Sequence, residues 1–283
     1  MESRNPVLRR FTEQEKSGEG FAYDEGRSAY AAAGAAEAAS APTAEQLQGI
    51  YDTPGPGTGR LTLDDVLIKT GISFVVLVIG AVIGWNLVEK MPLVVWGMSL
   101  VGFVLAMVNI FKKQVSPILV LLYAFAEGIF LGGISKWYDA YAQGNGYNGI
   151  VQQAVIGTFV AFAVMLTLYK TRIIKVNGTF AKMMMVALIS YVVIGLASLV
   201  AALFGVGSGW GFYGVPSIGI ALCVLGVALA SFSLALDFES ITQAIRYGAP
   251  ERESWRLAFG LLVTLIWLYL EILRLLAIVS NNR

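Results

Sequence analysis

Residues 257–279 read LAFGLLVTLIWLYLEILRLLAIV, a run of apolar residues interrupted by only two charges, Glu271 and Arg274. A hydrocarbon core of about 30 Å needs about 20 such residues in a helix, whereas a barrel strand needs only about 10. In lipid every backbone N–H and C=O must be paired within the protein, so a run of this length is a helix. Six windows of the same kind precede it, at 67–88, 93–111, 115–135, 150–169, 183–204 and 215–236. Composition agrees. Of the 283 residues 57% are hydrophobic and 14% charged, against about 25% charged in soluble domains, and mean hydropathy is +0.68. The sequence predicts an all-α integral membrane protein, a bundle of seven transmembrane helices, and excludes a water-soluble globule.

Residues 1–60 are polar and of low complexity, with an alanine-rich stretch from 29 to 41 and a Pro54-Gly55-Pro56-Gly57 end. Such a segment buries too little apolar surface to offset chain entropy. It is expected to be a disordered cytoplasmic tail on a membrane domain over 61–283. It has no apolar core of a secretory signal. Thr62, Asp64 and Asp65 make a capped, acidic start for the first helix.

Lys and Arg set the orientation. They gather before the first span (Arg4, Arg9, Arg10, Lys16, Arg27, Arg60), after the second (Lys112, Lys113), after the fourth (Lys170, Arg172, Lys175, Lys182) and after the sixth (Arg246, Arg252, Arg256). The alternate connections carry Lys90, Lys136, none between 205 and 214, and finally Arg283. Cytoplasmic loops are the basic ones, so the expectation is a multi-pass protein of the cytoplasmic (inner) membrane with its N-terminus inside. Trp137, Tyr138, Trp210, Tyr213 and Trp255 fall near span ends, at interfacial depth. Gly195, Ser198 and Ala202, and Gly226 with Ala230, have the spacing of helix contacts.

Several function classes drop out. Net charge is +1, without the clustered basic surface that nucleic acid requires. The chain has no histidine, so imidazole-based metal sites, Ser-His-Asp triads and imidazole pH switches are gone. Its single cysteine, Cys223, lies in an apolar run and reads as a small buried hydrophobe. The glycine-rich 205–211 segment breaks dinucleotide spacing at Trp210 and lies between spans. No set of catalytic groups emerges, and the expectation is a protein that is not an enzyme and has no resident cofactor.

The remaining chemistry lies in ionisable residues within the spans, which are costly there and face a partner or a cavity. Glu127 lies in the third span, Asp237 and Glu239 at the inner end of the sixth, and Glu271 and Arg274 in the last. Glu271 and Arg274 are three apart, share one helix face and can pair. That pair reads either as self-neutralisation for insertion or as a polar centre that gates ions. Asp237 reads as an interfacial carboxylate or a site residue, and Glu127 as a helix–helix hydrogen bond or a secondary polar contact.

Three segments together, in order, carry a family resemblance: Tyr123-Ala-Phe-Ala-Glu127-Gly128-Ile-Phe-Leu131-Gly132, Leu236-Asp237-Phe238-Glu239-Ser240-Ile241, and Trp267-Leu268-Tyr269-Leu270-Glu271-Ile272-Leu273-Arg274-Leu275-Leu276. Over roughly 60–280 the chain resembles the Bax inhibitor-1/YccA family. The opening Ser3-Arg4-Asn5-Pro6-Val7 and the long tail look like its actinobacterial branch. The resemblance implies a last helix wrapped centrally by the other six. It also implies a pH-sensitive pair of acidic residues, one after the sixth helix and one in the seventh, that controls calcium leak. Asp237 takes the first place, and Glu271 stands where better-studied members carry Asp. The family's latch arginine from the second helix is missing here, and Arg274 is the candidate counter-charge.

Two carboxylates close together in low dielectric cannot both ionise easily, so a proton can make or break their contact. Calcium takes 6–8 oxygen ligands. Asp237 and Glu271 with backbone and water would bind it weakly, as transient cargo. The expectation is a pH-sensitive cation leak channel or carrier, with calcium the implied ion. Asp237, Glu271, Arg274 and Glu127 are its ion- and pH-sensing residues, and Asp237 and Glu271 its metal ligands. Membrane lipid and cations are the expected partners. The alternative is a non-conducting regulator that binds another membrane protein, such as a membrane protease.

Overall fold

The structure is a computed structural model and describes residues 59–112 and 115–281. Among the described residues seven helices are long and apolar enough to cross a membrane. They are α1 (Leu63–Leu87), α2 (Pro92–Phe111), α3 (Pro117–Gly144), α4 (Ile150–Lys170), α5 (Gly178–Leu203), α6 (Pro216–Arg246) and α7 (Ser254–Asn281). The expected tail lies outside the described residues except for its end, where Gly59 and Arg60 are held in place.

Local chemistry explains the starts. Thr62 caps α1 in a reciprocal box: its hydroxyl accepts from Asp65 N–H at 3.2 Å, and Asp65 accepts from Thr62 N–H at 3.0 Å. Proline opens α2, α3 and α6, where its missing N–H costs nothing. Two helices outrun their apolar windows. α3 continues past 135 to Gly144, because SKWYDAYAQ contains no helix breaker. α6 continues past 236 to Arg246 and ends where Gly248 takes φ +66 and Pro250 follows. Asp237 and Glu239 therefore sit on the helix, not in a loop after it.

α7 packs against α1, α3, α4 and α6, and so occupies the middle of the bundle. α3 is also deeply buried, while α2 and α5 stand at the rim. The closest helix pair is α1 with α3. Gly80 and Gly84 of α1 face Gly128 and Gly132 of α3, and a Cβ at Gly84 or Gly132 would overlap the carbonyl of Ile129 or Ala81. Without a hydrophobic force between helices in lipid, such small-residue seams let backbones approach and gain dispersion contacts. Gly226 and Ala230 of α6 are buried, in keeping with the contact role expected of them. Gly195 is not a contact: nothing lies within 4 Å of a Cβ built there. The outward faces are apolar, with Leu93, Leu203 and Phe204 more than 80% exposed, so only hydrocarbon can surround them.

At one end of the bundle, residues entering α1 join the α6–α7 connection. Leu61 N–H donates to Ala249 at 2.9 Å, and Glu251 N–H donates to Gly59 at 2.8 Å. Lys69 pairs with Glu251 at 3.0 Å and donates to Ser254 at 2.7 Å. At the other end, residues 205–214 form two short 3-10 turns. Gly205, Gly207, Gly209 and Gly211 all have positive φ, a conformation open to glycine. Trp210 of this loop stacks on Trp137 at 5.1 Å and 24°.

Candidate functional site

The ionisable residues form two separate sites along the α6–α7 seam. The first surrounds Asp237. Its carboxyl is hydrogen-bonded with the Thr264 hydroxyl of α7, and Gly260, one turn away, leaves room beside it: a Cβ there would lie 3.9 Å from Oδ1. Oδ2 is buried and has no hydrogen-bond partner. Glu239, two residues on, points elsewhere. It accepts from Tyr169 of α4 at 2.8 Å and from Gln243 at 2.9 Å.

The second site lies toward the opposite end of α7. Glu271 is only 2% exposed. It accepts from Trp267 Nε1 at 3.1 Å and from Arg274 Nη1 at 3.3 Å. Gly226 of α6 makes the space, since a Cβ there would come within 2.6 Å of Glu271 Oε2 and would also overlap the Tyr191 hydroxyl. Tyr191 hydrogen-bonds to Glu271 and accepts from Tyr213 at 3.1 Å, so the 205–214 loop is tied to the buried carboxylate through α5. Burial pushes the Tyr213 phenol above its ordinary value, which keeps it a neutral donor. The Arg274 guanidinium lies over the Tyr213 ring at 4.7 Å and hydrogen-bonds with Tyr138.

The expected pairing of Asp237 with Glu271 does not form. Asp237 stands beside Thr264, seven residues from Glu271 on α7, which is about 10 Å along the axis. Glu271 stands beside Gly226, eleven residues from Asp237 on α6, or about 16 Å. The register of the two antiparallel helices puts Thr264 opposite Asp237, so the two carboxylates cannot share one cation. Nor do the described residues contain a group of three acidic or sulfur side chains that could hold a metal. Arg274 does contact Glu271, as its spacing allowed. Glu127 belongs to neither site: it packs against Gly102 of α2.

Sequence reasoning missed the aromatic hydroxyls around Glu271. Tyr138 and Tyr213, expected at interfacial depth, turn inward. The available signal was the run of alternate glycines at 205–211, which lets a loop fold back against the bundle.

The sequence model of the family described as Bax inhibitor 1 like matches residues 5–281. The chain belongs to the Bax inhibitor 1 like family. No curated protein sequence matches it. In this Bax inhibitor-1 type membrane protein the last helix is central, Thr264 of α7 faces Asp237 of α6, and Glu271 has a site of its own.

Proposed function

We propose that this protein is a proton-responsive leak pathway or carrier for cations, with calcium as cargo, in the cytoplasmic membrane and with its N-terminus inside. One observation carries the reading: Asp237 faces α7 with one carboxylate oxygen buried and unpartnered. A buried polar atom of this kind requires a partner, and a proton or a cation supplies one. Asp237 is the responsive group. Arg274 is the latch, and Glu271 is its partner in place of a second cation ligand. Glu127 is a secondary contact between α2 and α3. The reading assigns no catalysis and no resident cofactor.

Purified protein in liposomes should pass calcium at a rate that depends on pH. Asp237→Asn should flatten that dependence, whereas Lys182→Gln, in the first turns of the rim helix α5, should leave it intact. An unchanged pH profile in Asp237→Asn removes the residue from the mechanism. Folded protein that passes none of several cations leaves the field to a non-conducting regulator of another membrane protein.

A further inference from the structure

We propose that the groove between α1 and α4 holds one acyl chain of a membrane phospholipid. The groove is a cavity of about 690 Å³, within the ~300–1,000 Å³ range of ligand pockets. Val78 and Val82 of α1 form one wall, Val155 of α4 the other, and Leu265 and Ile266 of α7 the floor, while Phe74 and Phe159 meet edge to face at 5.7 Å between α1 and α4. It runs along α1 from Leu67 to Trp85, about 27 Å at ~1.5 Å per residue. That is close to the hydrocarbon thickness.

Three observations identify the occupant. First, the hydroxyl and amide donors of the groove's Thr, Ser and Asn side chains are already engaged. Thr70 donates to Val66 at 2.7 Å, Asn86 to Val82 at 2.8 Å and Thr158 to Ala154 at 2.8 Å, and Ser135 pairs with Tyr269 at 2.6 Å. With these donors spent within the chain, the groove offers little to hold a polar ligand or a file of water, and apolar cavities stay dry. Second, the mouth continues the lipid-facing surface, with Val82 and Ile156 both at least 60% exposed beside it. The medium at the opening is hydrocarbon. Third, Trp85 closes the far end with Lys136 Nζ 6.0 Å from its ring, and this Trp–Lys pairing belongs at headgroup depth. A chain attached to a headgroup at that end can lie along the groove.

Gly71 offers the test. A Cβ built there meets nothing within 4 Å, so a larger side chain can enter the groove without displacing backbone. In native mass spectrometry, detergent-purified wild-type protein should retain one phospholipid after activation strips the loosely held lipid. Gly71→Leu and Val155→Trp, each with wild-type helix content and thermal midpoint, should lose that adduct at least ten-fold. Gly195→Leu, on an open face elsewhere, should keep it. If Gly71→Leu fails to fold, Val155→Trp alone decides, because its position is at the mouth and 39% exposed. A wild-type protein that holds no phospholipid, or holds only detergent or free fatty acid, overturns the proposal. So do filled variants that retain the phospholipid unchanged.

Discussion

Glu271 is a buried charge whose environment is built around it. Trp267, Tyr191 and Arg274 donate to its carboxylate, and Gly226 leaves the space it fills. Removing one partner from a buried ion pair costs about 3–5 kcal/mol, because the other charge is left behind. Glu271→Gln should therefore cost about 3 kcal/mol, the lower end, since Arg274 keeps 28% of its side chain exposed. Combining it with Arg274→Gln should recover most of the loss, which thermal unfolding of the four proteins in detergent would read as a coupling. Gly226→Ala should cost about 1–3 kcal/mol by overpacking the same site. A wild-type midpoint for Gly226→Ala would mean that Glu271 is free to move aside. Part of this was legible in sequence: three-residue spacing put Arg274 on the face of Glu271. Distance between helices was not. Nothing in the residue order tells how α6 and α7 are registered, so Thr264, an unremarkable threonine by sequence, holds the position across from Asp237.

Helices were legible from length and hydropathy, and their contacts were not. All seven windows became helices because lipid leaves the backbone no other means of pairing. Their ends moved where the code changes from apolarity to breakers, as at Arg246 and Gly248. Small residues alone misled in one case, since glycine is common both in tight seams and on open faces. Gly132 lies in the α1–α3 seam against Ala81, whereas Gly195 of α5 faces open space. Gly132→Val should therefore abolish folded protein or sharply lower its yield, while Gly195→Ala should leave the thermal midpoint unchanged or slightly raised, given alanine's helix preference. Size-exclusion profiles and melting curves of the two variants check the contrast. Equal tolerance at both sites would mean that α1 and α3 can separate.

For the molecule as a whole, orientation is the property that loop charge alone predicts. Cys223 is buried, so thiol labelling starts from a silent background. With an impermeant reagent on intact cells, Asn148→Cys should label and Lys175→Cys should not, and the pattern should equalise after the cells are opened. The reverse pattern would turn the molecule over in the membrane. Orientation also decides which compartment the Asp237 end faces. At that end the chain entering α1 is stitched to the α6–α7 connection by Leu61–Ala249, Glu251–Gly59 and Lys69–Glu251. The stitch makes residues 59–61 a tether on the joint between α6 and α7. Tension on the chain ahead of Gly59 would reach that joint directly, without first bending α1. A binding protein that grips the N-terminal segment thus has mechanical purchase on the seam holding Asp237, by way of three short links.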